Sequence, residues 1–323
     1  RRCAASAINA IVLGRHADPK QKVIEMEKGL TSLLSLVAFK EDDEECVHEG
    51  IYALGSLAEN DEAKAQIVEL KSHDNQTTCV SYIVQRANIG SIEIKRAAGY
   101  FLALLSESPE FHAALSAAGG LDCIILLASL ADDECQDYAA FALAFLASHR
   151  EYQVPLAQLG AVRPLVSIMA AASDNNNDDG NRMSVSSARH YAGLALLKLA
   201  DNFENHVTIA EEGGIQALLR LGRSRVTDEE VQYKAAVTVG HLASNAVGAN
   251  ITSSSKKRGV RAGRIGYAAG RFGTARNVTK GFIKECAEKK AYKEITPEAH
   301  KRNLSSSSVS ESLNDSHFLD GSS

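Results

Sequence analysis

Ten histidines and 40 Asp+Glu residues give this 323-residue chain the raw material for acid–base or metal chemistry. Their spacing does not assemble it. No His-Glu-x-x-His sets two imidazoles on one helix face, and no Cys-x-x-Cys pairs two thiolates. No Gly-rich phosphate loop and no Gly-x-Ser-x-Gly elbow occurs either. The nearest approach to a metal loop is Asn175, Asn177, Asp179 and Gly180, which imitate the first half of a calcium-binding EF-hand. The imitation then breaks down. Arg182 stands where an apolar residue belongs, and Ser186 where the bidentate glutamate must be. Without a nucleophile–base pair, Tyr, His and Asp on neighbouring helices do not make a catalytic site. The expectation is therefore no enzyme, no cofactor, no metal site and no small-molecule substrate.

The cysteines point the same way. Cys3, Cys46, Cys79, Cys123, Cys135 and Cys286 are scattered, most of them in Ala/Leu-rich stretches where a free thiol behaves as a small hydrophobe. They read as reduced thiols of a cytoplasmic protein, with the nucleus as the other compartment. The sequons at Asn75, Asn250, Asn277 and Asn303 carry no weight without evidence of secretion. The chain starts at Arg1 rather than Met and is expected to be a piece of a longer protein.

The elements that carry these side chains follow from composition. Hydrophobic residues make up 45% of the chain and aromatics only 6%, with no Trp, which excludes global disorder and favours Ala/Leu helices over a β-sandwich. The longest apolar runs, such as Ile124–Ala128 and Ala139–Ala147, fall well short of the ~18 residues of a membrane span. Charge is unevenly spread. Residues 1–249 hold 21 basic and 33 acidic residues, a net of −12, and residues 250–323 hold 14 and 7, a net of +7. An acidic body carries a basic tail.

One pattern recurs through the body. Its copies begin at Ile8, Tyr52, Tyr100, Phe141, Leu194 and Val237, separated by 44, 48, 41, 53 and 43 residues. In each the sixth residue is Leu and the seventh Gly, Ala or Ser, as in Tyr52-Ala53-Leu54-Gly55-Ser56-Leu57-Ala58. Between copies an apolar turn ends in Gly and a second apolar helix follows, as at Gly119-Gly120, Gly160 and Gly213-Gly214. Gly there suits a left-handed helix C-cap. Pro164 falls in a first helical turn, where its missing N–H costs little. Acidic residues open the long helices at Glu44-Glu45, Asp132-Asp133-Glu134 and Asp228-Glu229-Glu230, opposite the positive end of the helix dipole.

Three helices in about 42 residues is the armadillo-type unit. Over residues 1–245 the chain resembles armadillo-repeat proteins, most clearly at Tyr191–Leu221, and its texture is similar to the vacuolar armadillo and plant BTB-armadillo branches. The resemblance implies an all-α, right-handed armadillo-type superhelical solenoid of about five to six repeats, the first truncated. Two departures stand out. The unit between Asn60 and Ser91 has Lys71–Gln76 in place of its Gly turn, and the fifth unit carries a polar insert, Asp174–Ser187.

In armadillo proteins the third helices line a concave groove. The importin-alpha branch uses Trp and Asn there to hold basic peptides. Here the Trp row reads Ile8, Tyr52, Tyr100, Phe141, Leu194 and Val237, and the Asn row Val12, Ser56, Leu104, Phe145, Lys198 and His241. Neither row holds Trp or Asn, so recognition of nuclear-localisation signals is not implied. What remains is a strip of Tyr52, Tyr100, Leu104, Phe141 and Phe145. One turn earlier lies a polar rim of His48, Arg96, Asp137, His190 and Tyr233, with Lys198 and His241 at the far end. Either these residues face the groove or, with the register one position off, the aromatics belong to the core. The groove reading makes the chain a scaffold or adaptor that binds a partner protein through an amphipathic helix or a strand with apolar anchors.

The pattern stops after Asn245. Residues 246–323 are expected to be a basic, largely disordered tail, with Lys256, Lys257, Arg258, Arg261, Arg264 and Arg271 set among glycines and a Ser-rich end. Three roles stay open for it: a basic linker, an element that binds anionic membrane or nucleic acid, or a segment that folds back onto the acidic body.

Overall fold

The computed structural model describes residues 23–24, 29–38, 43–72, 76–171, 182–223 and 231–242. Helices account for nearly all of them. α1 spans Gly29–Val37 and α2 Glu44–Leu57, followed by α3 (Asp61–Glu69), α4 (Cys79–Ile89) and α5 (Ile92–Glu107). A one-turn 3-10 helix, Pro109–Phe111, leads into α6 (His112–Ala117), then α7 (Gly120–Ala128) and α8 (Asp133–Ala147). Next come α9 (Arg150–Gln158), α10 (Val162–Ala171) and α11 (Arg182–Leu199). α12 (His206–Glu211) and α13 (Gly214–Arg223) follow, and residues 231–242 form α14.

Local chemistry sets the boundaries. The Asp43 carboxylate accepts the Cys46 amide at 3.4 Å and starts α2; Asp132 accepts the Cys135 amide at 3.0 Å and starts α8. The turns between short and medium helices are made by Gly119, Gly160 and Gly213, at φ of 77°, 92° and 88°, a region that other L-residues enter only at a cost. Where the second unit lacks that glycine, Lys71 and Thr78 form an antiparallel bridge, and the Thr78 hydroxyl then caps α4.

A polar donor follows each long helix at a fixed distance. His112, Gln153 and His206 each lie six residues beyond the acceptor they reach. His112 Nε2 bonds the Ser106 carbonyl at 2.7 Å, His206 Nε2 the Ala200 carbonyl at 2.7 Å, and Gln153 Nε2 the Ala147 carbonyl at 3.1 Å. These last-turn carbonyls have no partner inside their own helix, so a buried side chain supplies one. Lys64, six residues beyond Ala58, is equally buried but reaches the Ser108 hydroxyl.

The long helices α2, α5, α8 and α11 stack side by side, and the medium helices α1, α4, α7, α10 and α13 stack as a second row behind them. One apolar core runs from Leu30 to Leu242 without a break. That continuity is what a repeat array gains, since no single unit buries its own apolar face.

One expectation needs correction. The insert does not reach Ser187, because α11 is already helical from Arg182. Pro155 lies inside α9, past its first turn. The EF-hand-like residues Asn175, Asn177, Asp179 and Gly180, the first pattern copy and the tail all lie outside the described residues.

Candidate functional site

The open face of the long-helix layer has the same make-up in each repeat. On α5 it runs through Glu93, Arg96, Tyr100, Leu104 and Glu107, all half-buried or exposed, while Phe101 and Leu102 point into the core and are fully buried. The period of three to four residues puts one stripe outside and the other inside. On α2 the stripe is Glu45, His48 and Tyr52, with Glu59 just past the helix end; on α8 it is Glu134, Asp137, Tyr138, Phe141 and Phe145; on α11 it is His190, Tyr191, Leu194 and Lys198, with Asp201 just past the end. Tyr52, Tyr100, Leu104, Phe141 and Phe145 are thus half-buried at the surface of this layer. Ser56 is buried and does not line it.

The rings form two groups. In the first, His48 stacks on Tyr52 at 6.0 Å, Tyr52 on Tyr100 at 5.7 Å, and Tyr100 meets Tyr138 at 5.7 Å with the planes tilted by 55°. This ladder crosses three helices, and small residues let it close: a Cβ on Gly55 would come within 2.8 Å of the Tyr100 ring. In the second, Phe141 packs on Phe145 at 4.6 Å and edge-on to Tyr191 at 5.0 Å, and Tyr191 meets His190 at 5.6 Å. Tyr52 and Tyr100 thus turn part of their ring faces to one another within the ladder.

Two polar groups on the strip, the Tyr100 hydroxyl and the Arg96 guanidinium, are already committed. The Tyr100 hydroxyl donates to Glu59, and burial together with that carboxylate pushes its pKa up, so it stays a donor. The Arg96 guanidinium reaches the next repeat, with Nη2 2.6 Å and Nε 3.1 Å from Asp132 Oδ2. Asp132 is held down to about 2 by that hydrogen bond. Asp137 also faces the following repeat. Its carboxyl interacts with the Ala188 backbone, its Oδ1 is buried without a partner, and burial first, then Asp133 and Glu134, raise its pKa to about 6. Arg189 Nε is likewise buried without a partner.

His190 and His241 are exposed; Lys198 and Tyr233 are half-buried at the corresponding positions of α11 and α14. The structure brings His48, Tyr52 and Tyr100 together and, separately, Phe141 and Phe145. Two residues of these groups, Tyr138 and Tyr191, escaped a reading that followed steps of four alone. A helix face also takes the step of three, and Tyr138–Phe141 and Tyr191–Leu194 are such steps. Lys256, Lys257, Arg258, Arg261, Arg264 and Arg271 lie outside the described residues.

Buried Cys79, Cys123 and Cys135 have thiols pushed up to about 12 by burial, the Cys46 thiol donates to Asp43, and none of the four forms a disulfide. They are packing residues, not nucleophiles. Among the described residues no three His, Cys, Asp or Glu side chains are placed to hold a metal ion.

A layered array of three-helix units with one continuous core defines an α-solenoid, and its repeat is of armadillo type. The chain is similar to the crystal structure of an engineered protein, with 26% identity over 76% of this chain and 90% of that one and a TM-score of 0.58. It is similar to a designed armadillo repeat protein in complex with the peptide (KR)4, at 25% identity over 74% and 92% of the two chains and a TM-score of 0.57. A second designed armadillo repeat protein shares the fold at 24% identity over 75% and 92%, with a TM-score of 0.58. No family model matches the chain, and no curated protein matches it. None of these similarities bears on the vacuolar or BTB branch.

Proposed function

We propose that the chain is a non-enzymatic scaffold or adaptor that binds a segment of a partner protein across its long-helix layer. One observation carries this reading. In a fold that buries its apolar residues in a single core, a strip of rings from Tyr52 through Tyr100 and Phe141 to Tyr191 stays half-exposed over four neighbouring helices. Partly exposed aromatics grouped on one face in this way serve as binding anchors. The similar designed armadillo repeat protein held with a (KR)4 peptide supports a peptide-binding role for this architecture. The reading places the protein in a reducing compartment, the cytoplasm or the nucleus, in keeping with its single buried thiols.

The test is capture of partners from cell lysate by the full chain and by its Tyr100→Ala, Phe141→Ala double variant, with circular dichroism confirming that the variant is folded. Loss of the captured set from the variant supports the reading. An unchanged set overturns it.

A further inference from the structure

The strip discriminates between the two forms a bound segment can take. An extended peptide turns part of its backbone N–H and C=O groups toward the surface, and those it buries there must find a partner or remain unsatisfied. The positions next to the Tyr52, Tyr100 and Phe141 row offer little. Ser56 is buried, Leu104 and Phe145 are apolar, Arg96 and the Tyr100 hydroxyl are engaged with Asp132 and Glu59, and the one unpartnered acceptor among the described side chains of the stripe, Asp137 Oδ1, is itself buried. A helical segment satisfies its own backbone and presents only side chains.

Charge sharpens the picture. The apolar centre of the layer is bordered on both sides by exposed carboxylates. Glu45, Glu93 and Glu134 stand toward the helix starts, and Glu59, Glu107 and Asp201 toward their ends. Of the cations on this face, Arg96 is paired with Asp132 and lies 3.8 Å from Glu134, and Lys198 stands at the α11 end, so carboxylates outnumber cations along the strip. Four helices at roughly 8–10 Å spacing give a strip roughly 25–30 Å long. At 1.5 Å per residue, a helix of about 17–20 residues spans it.

Building on the groove reading above, we infer that the occupant is an amphipathic α-helix whose apolar face lies on Tyr52, Tyr100, Leu104, Phe141 and Phe145 and whose flanks carry Lys and Arg. The apolar contacts anchor it, and the two acidic borders hold it in place and exclude acidic helices.

Selection on the full chain from an unbiased displayed library of 20-residue peptides tests this. The enriched pool is expected to show apolar residues at i, i+3 or i+4, and i+7, with Lys or Arg beside them. A synthetic member should gain helical circular dichroism on binding. Two central prolines should weaken it at least ~10-fold, and so should Leu104→Asn with Phe145→Asn in the chain. A pool with period-two spacing, acidic flanks or proline-tolerant binding overturns the inference while leaving the groove reading intact. No binders at all, or binders unaffected by Tyr100→Ala with Phe141→Ala, sinks the groove reading and the inference with it.

Discussion

Asp132 serves two neighbouring repeats at once: its Oδ1 accepts the Cys135 amide that begins α8, and its Oδ2 accepts the Arg96 guanidinium that reaches over from α5. The link joins the ends of two long helices whose packing builds the aromatic strip. Asp132→Ala removes both contacts and is expected to cost about 1–2 kcal/mol, mostly the lost cap, since Arg96 is partly exposed. Asp132→Asn keeps the cap and costs less. The carboxyl sits near 2, below its ordinary 3.8, so its contribution is complete above about pH 4 and is lost as pH falls toward 2. Urea midpoints of the three proteins at pH 7 and pH 3 check both statements.

His112 is a second group whose protonation bears on stability. Burial, and His149 across a 4.8 Å edge contact, lower its pKa, although the Ser106 carbonyl and the nearby Glu151 and Glu110 work against this. The fold therefore takes up a proton less readily than the unfolded chain. Stability is full above about pH 6.5 and declines as pH falls from there toward the lower folded value. Gln153 performs the same capping one repeat later without titrating. His112→Gln should keep the neutral-pH melting temperature within a few degrees and shrink its fall between pH 7.5 and 5.5, as a thermal melt would show. A fall of equal size in the variant would exclude His112 as the group responsible.

Asp137 acts with the reverse sign. Its pKa of about 6 means the fold prefers the protonated form, so the charge carried at pH 7 is a cost that is relieved as pH falls through 6 toward 3.8. Asp137→Asn keeps an acceptor for the Ala188 backbone and removes the charge. It is expected to raise stability at pH 7 by on the order of 1 kcal/mol, a figure already discounted for partial exposure. The gain should disappear near pH 4, which paired denaturation curves would reveal. Destabilisation at pH 7 would show that the charge has a partner in solution.

Much of the fold was legible in the chain. The recurring Leu-plus-small-residue ending, the Gly turns and the acidic helix starts are local signals, and each works within one or two turns of helix. The register of the strip was left open by the sequence, and the burial of Phe101, Leu102 and Leu105 puts Tyr100 and Leu104 at the surface of the layer while Ser56 goes inside. Tyr138 and Tyr191 were open to helical periodicity and needed only the step of three. Pro155 was not legible, since its position inside α9 depends on where that helix starts.

The sequence by itself determined the repeat, the helical class, and the two registers in which each long helix could set its stripes. Tertiary structure alone decided between those registers and what the polar residues on the outer stripe do. Arg96 and Asp132 lie 36 residues apart and Tyr100 and Glu59 lie 41 apart, and each pair meets only because successive repeats stack in register. Periodicity acts within one helix, so it names the stripes. Contacts between repeats depend on how helices from different units are set against one another, and no spacing along a single helix encodes that.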